Sequence, residues 1–266
     1  MVSDLSYNLI VLAGDRGAND PLAGALGVPR KGLLPLLKRP MLSYVLEAGQ
    51  KAKNIHQIYV VANDVDSIKA GLPSNVSSDQ AFQFIEGANS PVQTVQKVLQ
   101  DIEMPALLVT ADNPLLTSET LDDFIEESSS LDGDLAVGFA AKSDVLRDFP
   151  DAKRTFIKLG VEGYTGTNMF ALKNDNVFHV LGFWRGIEQQ RKKALKLVWA
   201  FGFWNLIKVL LGFTNLEKAM QDASRVLRAK VQAIVVKDTA LSMDVDKVAD
   251  IAPVERVLAE RHQKGR

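Results

Sequence analysis

The chain has 266 residues, 47% of them hydrophobic, which is enough to bury the core of a single α/β domain. Its formal net charge of -1 provides no overall field for nucleic acid or an anionic membrane, so any phosphate binding has to come from local groups. The absence of cysteine excludes disulfides, thiolate catalysis and cysteine-ligated metals, and fits a reducing cytoplasm. We therefore expect one cytoplasmic domain over residues 1–266 that does not bind nucleic acid.

Apolar runs typical of strands alternate with amphipathic helical patterns. Strands are predicted at Leu9–Ala13, Gln57–Ala62, Ala106–Thr110 and Leu135–Ala140, and helices around Met41–Lys53, Val92–Ile102 and Leu121–Ser128. This β-α alternation predicts a mostly parallel, Rossmann-like sheet flanked by helices, with ligands at the carboxyl ends of the strands. Further along, the sequence predicts an antiparallel pair at Thr155–Leu159 and Tyr164–Leu172, a strand at Val231–Val236, and a last helix from about Asp246 that Pro253 bends or interrupts.

The first strand leads into a loop with glycines and basic residues. Gly14 and Gly17 permit turns and close approaches that a Cβ would block. Backbone N–H groups there can form an anion-binding concavity, to which Arg16 adds a fork of donors and Lys31 a mobile charge. The same residues also suit an ordinary turn with solvated charges, and neither a P-loop nor a dinucleotide fingerprint is present. The loop by itself permits a triphosphate site without requiring one.

Three motifs in order resemble the nucleotidyltransferase superfamily that includes molybdenum-cofactor and sugar-phosphate enzymes, with a GT-A-type sheet. They are L-A-G-D-R-G from Leu12 followed by K-G-L-L-P-L from Lys31, then V-T-A-D-N-P-L over 109–115, and then D-V-D over 244–246. The ordered set is more specific than any one motif, and the resemblance covers most of the chain apart from about 175–230. This chain departs from the family where Asp15 replaces a second glycine, which places a carboxylate beside the expected triphosphate.

The resemblance implies transfer of NMP from an NTP, with CTP slightly favoured, to a phosphorylated acceptor with release of pyrophosphate. It makes Asp112 a ligand of Mg²⁺, ranks Asp244 above Asp246 as the second ligand, and assigns Arg16 and Lys31 to the β- and γ-phosphates. Magnesium suits such carboxylates, since it prefers oxygen ligands. From the residues alone, Asp112 also fits a turn before Asn113-Pro114, and Asp244 and Asp246 a strand-to-helix junction.

Further residues are assigned to the two substrates by the same resemblance. The segment 86–92 resembles the family's base-contact loop, although Ser90 equally suits a helix N-cap with Pro91 at the first helical position. Lys158 is predicted to face the acceptor, but also fits an exposed strand charge. The nucleotide set is thus Leu12, Ala13, Gly14, Gly17, Gly87 and Ser90, and the acceptor set is Lys158 and Asn168.

Residues 175–230 are predicted to form a helical, apolar insertion. A spanning helix needs about 20 mostly apolar residues, and Lys208 interrupts the run, so the sequence does not favour one. The segment 175–213 instead suits a hairpin on the core, a homodimer interface, or a peripheral contact with the inner face of a membrane near a lipid-linked acceptor. Two alternatives stay open, namely a GT-A-type glycosyltransferase that uses Asp244-Val245-Asp246, and a non-catalytic nucleotide-binding protein.

Overall fold

The structure is a computed structural model that describes residues 5–15, 20–77, 79–188 and 214–264. The central sheet has eight strands in the order β10-β7-β9-β6-β1-β4-β5, with β8 paired to β9 and β2 paired separately with β3. The strands are β1 Tyr7–Leu12, β2 Pro35–Leu36, β3 Arg39–Pro40, β4 Ile55–Ala62, β5 Phe82–Glu86, β6 Ala106–Thr110, β7 Leu135–Ala141, β8 Ile157–Leu159, β9 Glu162–Leu172 and β10 Val231–Val235.

Helices cover both faces of this sheet, because each central strand is apolar on both sides. Leu9 and Val11 of β1 pack into one buried cluster, whereas Ile10 between them packs into another on the opposite face. The helices of the described part of the chain are α1 Pro21–Leu26, α2 Met41–Lys51, α3 Val65–Gly71, α4 Ser74–Ser77, α5 Pro91–Asp101, α6 Ser118–Ser130, α7 Lys142–Asp148, α8 Val177–Glu188, α9 Leu216–Leu227 and α10 Val248–Lys264. The predicted α/β class with a mostly parallel sheet is confirmed.

Strand β9 runs antiparallel between β6 and β7, as the sequence predicted for this region. Its last residue, Leu172, pairs with the first residues of β6 and β7, so its opening residues lie at the carboxyl ends of the parallel strands. The pairing shifts between Val137 and Phe139, and Asn168 lies within this irregularity with φ 54°. Asparagine tolerates the left-handed region better than most residues, and the bulge re-aims its side chain.

The structure differs from the predicted elements at one strand and in the details of one helix. The strand β5 has no counterpart in the predicted set, because it lies at the sheet edge, where the polar, exposed Gln83 breaks the apolar run. The last helix begins at Val248 rather than near Asp246, and it runs through Pro253 without interruption. Proline removes the hydrogen bond to the carbonyl of Ala249, and that residue is exposed, so water can replace the lost donor.

The predicted apolar insertion is only partly within the described chain. Val177, Val180 and Leu181 of α8 are buried against the sheet, and α9 packs on β10. Residues 189–213 lie outside the described residues, so the predicted homodimer or membrane contact through 175–213 stays a prediction. Across the parts of the chain that the structure describes, no helix combines the length and apolar character needed to span a bilayer.

Candidate active site

The loops that follow β1, β4 and β6 meet at the carboxyl edge of the sheet. The N–H of Ala13 donates to the carbonyl of Val61 at 2.8 Å, and the N–H of Ala111 donates to Leu12 at 2.9 Å. Gly14 lies so close to the next loop that a Cβ on it would be 2.5 Å from Oδ1 of Asn63. The glycine therefore permits a close approach of the two loops, and the residues 12–14 predicted to bind nucleotide lie in the crevice expected for this fold.

Lys31 connects two acidic segments in this crevice. It begins a 3-10 turn over Lys31–Leu33, and its Nζ donates to Oδ2 of Asp112 at 2.8 Å and to Oδ1 of Asp246 at 2.7 Å. Burial disfavours the charged ammonium, but the two carboxylates outweigh this effect, so the pKa of Lys31 is raised above its ordinary value. A permanent positive charge therefore lies at the ends of β1 and β6.

Asp112 and the segment 241–246 are joined through the backbone. The N–H of Val245 donates to the carbonyl of Asp112 at 2.9 Å, and the buried Asn113 donates from Nδ2 to the carbonyl of Leu241 at 2.8 Å. Oδ2 of Asp112 accepts from Lys31, whereas its buried Oδ1 has no hydrogen-bond partner among the described residues. A buried carboxylate oxygen without a donor is a spare acceptor that a cation can use.

Asp244 points toward β9 rather than toward Lys31. Both of its carboxylate oxygens accept from the guanidinium of Arg154, one of them at 3.0 Å, and Oδ2 also accepts from Nδ2 of Asn168 at 3.3 Å. The hydrogen bonds to Asp244 are the largest of the effects that raise the pKa of Arg154, against the opposing effect of burial. The D-V-D segment thus presents its two carboxylates in different directions, Asp244 to the β9 bulge and Asp246 to Lys31.

Asp15 is directed toward the chain's own donors. Its side chain is only 2% exposed, and Oδ2 accepts the backbone N–H of Lys31 at 2.6 Å while Oδ1 accepts from Arg30 at 3.3 Å. Arg30 also pairs with Asp64, which accepts the N–H of Ser67 at 2.9 Å and caps α3. Hydrogen bonds from Ser67 and from Arg30 lower the pKa of Asp64 to about 2. The carboxylate of Asp15, which the sequence places beside the expected triphosphate, is therefore hydrogen-bonded to Arg30 and Lys31.

The segment predicted to contact the base is held by backbone and hydroxyl groups. The N–H of Gly87 donates to the carbonyl of Ala62 at 2.7 Å, and the N–H of Ala88 donates to Oγ1 of Thr94 at 2.8 Å. Ser90 is the N-cap of α5, since its Oγ accepts the N–H of Gln93 at 3.2 Å. The cap that the sequence allowed for Ser90 is present, and its contact with a base stays a prediction.

The structure brings together most of the predicted residues that it describes. Leu12, Ala13, Gly14, Lys31, Asp112, Asn168 and Asp244 share contacts at this edge of the sheet. Lys158 is exposed on β8, and within the described chain no hydrogen bond or ion pair ties it to this cluster. Arg16 and Gly17 lie outside the described residues.

Sequence reasoning missed three residues that organise the site. Arg30 joins Asp15 to Asp64, and Thr94 supports the loop at Ala88. Asp64 had a detectable signal, because it follows the predicted strand Gln57–Ala62 by two positions and parallel strands align their carboxyl ends. Arg30 had none, since its partners Asp15 and Asp64 are 15 and 34 positions away.

Fold and site together define a protein of the nucleotidyltransferase class. The chain belongs to the family of MobA-like NTP transferase domains, whose family model matches residues 9–180. The superfamily predicted from the three motifs is thereby confirmed.

Two curated relatives match part of the chain, and both are bifunctional GlmU proteins. The protein from Caldanaerobacter subterraneus subsp. tengcongensis is 30% identical over 122 residues, which are 44% of this chain and 26% of that protein. The protein from Exiguobacterium sibiricum is 29% identical over 115 residues, 43% of this chain and 25% of that protein. The match thus spans about a quarter of the length of these relatives.

Solved structures agree over nearly the whole chain. A hypothetical transferase from Thermus thermophilus has a TM-score of 0.77 at 28% identity, covering 92% of this chain and 99% of that one. A CMP:2-keto-3-deoxy-manno-octonic acid synthetase complexed with CTP has a TM-score of 0.59 at 12% identity and covers 96% and 99%. A 4-diphosphocytidyl-2C-methyl-D-erythritol synthase from Anaerococcus prevotii has a TM-score of 0.56 at 13% identity and covers 96% and 97%. At such low identities the last two show a shared fold only.

Proposed function

We propose that this protein is a magnesium-dependent nucleotidyltransferase, a single domain that transfers NMP from an NTP to a phosphorylated acceptor and releases pyrophosphate. The observation that carries the proposal is the contact of one ammonium group, Nζ of Lys31, with Asp112 at 2.8 Å and Asp246 at 2.7 Å. Three motifs that are far apart in sequence meet there, at the edge of the sheet where α/β proteins bind nucleotides. Family membership supports the same reaction class.

The residues present fit a divalent cation of the magnesium type. Asp112 offers a buried oxygen, Oδ1, that has no donor among the described residues, and Mg²⁺ combines one or two carboxylates with phosphate oxygens and water. When bound, the cation would neutralise charge that develops on the phosphates. Asp112 would hold it together with a carboxylate of the D-V-D segment. Asp244 was the predicted partner, but Arg154 and Asn168 engage it, so the geometry favours Asp246.

The protein's own side chains supply the remaining steps of the transfer. Lys31 would exchange its carboxylate partners for the β- and γ-phosphates, together with Arg16, and so stabilise the pyrophosphate that leaves. Backbone groups after β1 and β5 would orient the nucleotide, and Asn168 lies where the second substrate is expected. The acceptor oxygen attacks the α-phosphate directly, so no side-chain nucleophile is required. An acceptor role for Lys158 rests on the resemblance alone.

The experiment that tests this proposal measures pyrophosphate. The full chain is incubated with each of the four common NTPs and Mg²⁺, first in a thermal-shift screen and then with a panel of phosphorylated sugars, alditols and lipid-linked phosphates. We expect one NTP to stabilise the protein, with CTP slightly favoured, and one acceptor to trigger stoichiometric pyrophosphate release. Binding without release would favour a non-catalytic protein, and transfer from a nucleotide sugar would favour a glycosyltransferase; either result contradicts the proposal.

A further inference from the structure

Asp15, which accepts the backbone N–H of Lys31 and which we call its anchor, is a residue that the family pattern does not contain. Asp15 stands where the resembling family has glycine, and it is among the most buried charged side chains of the site, with 2% of the side chain exposed. A carboxylate buried this deeply requires compensating donors, because desolvation of an unpaired charge costs several kcal/mol. Two donors to Asp15 belong to the segment that carries Lys31.

The first donor is the backbone N–H of Lys31 itself. Lys31 opens a 3-10 turn, and the N-cap residue Arg30 provides no side-chain hydrogen bond to that turn. The N–H groups at the start of a helical turn lack partners within it, and an aspartate is a preferred acceptor for them. Oδ2 of Asp15 accepts this N–H at 2.6 Å, so a residue 16 positions before Lys31 takes the place of the missing cap.

The second donor, the guanidinium of Arg30, balances the charge of Asp15 and connects it to the loop after β4. Arg30 donates to Oδ1 of Asp15 at 3.3 Å and also pairs with Asp64, the N-cap of α3. The hydrogen bond to Asp64, with a smaller contribution from Asp15, raises the pKa of Arg30. The loop after β1 is therefore bonded to Arg30 and to the backbone of Lys31, and the loop after β4 is bonded to Arg30.

This anchor determines where the ammonium of Lys31 can reach. The backbone of Lys31 is held beside β1 by Asp15, while its Nζ contacts Asp112 after β6 at 2.8 Å. A lysine side chain has four rotatable bonds, and ordering them costs conformational entropy when the ammonium binds a phosphate. Fixing the backbone at one end leaves only the side chain to be oriented.

We propose that Asp15 is a positioning residue, which holds the backbone of Lys31 so that its ammonium meets the triphosphate, with Arg30 as the charge partner of Asp15. The inference rests on the proposed function, since it assigns the purpose of the anchor to phosphate binding. It also gives the departure from the family pattern a structural role, since the carboxylate at the glycine position bonds to Arg30 and to the backbone of Lys31.

The test uses inorganic tripolyphosphate, which reports on the phosphate site without a known base or acceptor. Its dissociation constant is measured by calorimetry on the full chain for wild type, Asp15→Gly, Lys31→Ala and the double variant. We expect Asp15→Gly to weaken binding about tenfold, the usual scale for one charge-assisted hydrogen bond. Because both residues act as one unit, the double variant should bind no more weakly than Lys31→Ala alone. Asp132→Gly, an exposed position paired with Lys230, is the matched control.

Amide hydrogen exchange gives an independent readout. The N–H of Lys31 should exchange about tenfold faster in Asp15→Gly, while the N–H of Leu33, which donates to Arg30 within the turn, should change less. Asp15→Asn keeps an oxygen acceptor but loses the charge, so it should fall between wild type and Asp15→Gly in both measurements. It also provides a second variant if glycine at this position prevents folding.

The outcomes separate the two proposals. Additive losses in the double variant, or equal or tighter tripolyphosphate binding by Asp15→Gly, would overturn the positioning role while leaving the proposed function standing. Failure of the wild-type chain to bind tripolyphosphate and every NTP would contradict the proposed function and the phosphate-binding purpose together. Unchanged exchange of the Lys31 amide in Asp15→Gly would overturn the anchor itself, whatever the ligand.

Discussion

At the scale of single residues, charge compensation explains the arrangement of the site. Lys31 lies between Asp112 and Asp246, and the Arg154 guanidinium spans both oxygens of Asp244. Paired in this way, the charges can lie close together without the repulsion that three carboxylates would otherwise produce. The pairs also differ in how easily they can be released, because the side chain of Asp246 is 63% exposed, whereas Asp244 is buried.

Replacement of Asp112 by asparagine tests its role at the reacting centre. We expect turnover to fall at least about a hundredfold, since loss of one carboxylate weakens the hold on the cation and each 1.36 kcal/mol is a factor of about ten. The unfolding free energy should stay within about 1 kcal/mol of wild type, because the carbonyl that accepts from Val245 is unchanged. Pyrophosphate release and urea unfolding measure the two quantities. Asp123→Asn, exposed on α6, is the control, and full activity of Asp112→Asn would exclude a metal-binding role.

The acidity of Asp64 predicts a pH dependence of stability. The pKa of this carboxyl is lowered from its ordinary value of 3.8 to about 2, so its contribution is fully present above pH 3.8 and is lost as the pH falls to about 2. Carboxyl NMR titration should find a midpoint near 2 in wild type. Ser67→Ala removes a side-chain hydrogen bond, so it should move the midpoint upward. A wild-type midpoint near 3.8 would contradict the contacts of Asp64 with Ser67 and Arg30.

At the scale of elements, the irregular pairing of β7 and β9 brings Asn168, a residue predicted to bind the acceptor, to Asp244. Gly138 is opposite the bulge, and the positive φ of Asn168 turns its side chain toward Asp244. Regular pairing would alternate side chains strictly between the two faces of the sheet. The bulge is thus the element that links the antiparallel strand to the D-V-D segment.

Gly138→Ala tests this element. An added Cβ would lie 2.3 Å from Oγ1 of Thr167 and 3.2 Å from both Met169 and Phe124, so we expect a loss of about 1–3 kcal/mol from overpacking. Urea denaturation measures the loss. The matched control is Gly166→Ala on the paired strand β9, where no heavy atom of the described residues beyond its chain neighbours lies within 4 Å of the added group and the change should stay within about 0.5 kcal/mol. Equal stabilities of the two variants would contradict tight packing at the bulge.

At the scale of the whole molecule, the apolar clusters that stabilise the fold and the charged groups of the candidate site lie in different places. Two apolar clusters cover the two faces of the sheet, and a third includes Val254 and Leu258 of α10. The charged groups of the site lie at one edge of the sheet. Along the described residues, no group of three or more acidic or histidine side chains is arranged to hold a metal ion by itself. Under the proposed function, a cation binds together with the nucleotide, and apolar burial holds the fold together.

Chelation distinguishes these two roles. Removal of divalent cations with excess EDTA should abolish pyrophosphate release, while the thermal midpoint changes by less than about 2 °C, because apolar burial supplies the stability. Circular dichroism during heating and the pyrophosphate assay are run on the same sample, and activity should return when Mg²⁺ is added back. Unfolding on chelation would show that the metal has a structural role.

Hydrophobic periodicity and motif order were sufficient to predict the α/β class, the positions of five parallel strands, the antiparallel excursion and the family. These features depend on local patterns, because a buried parallel strand is a continuous apolar run and its loop carries the functional residues. Only the tertiary structure showed that Asp15 bonds to Arg30 and Lys31, and that Asp246 rather than Asp244 faces Lys31. Those contacts join residues separated by 15 to 215 positions, and the directions of their side chains depend on backbone geometry that no local pattern records.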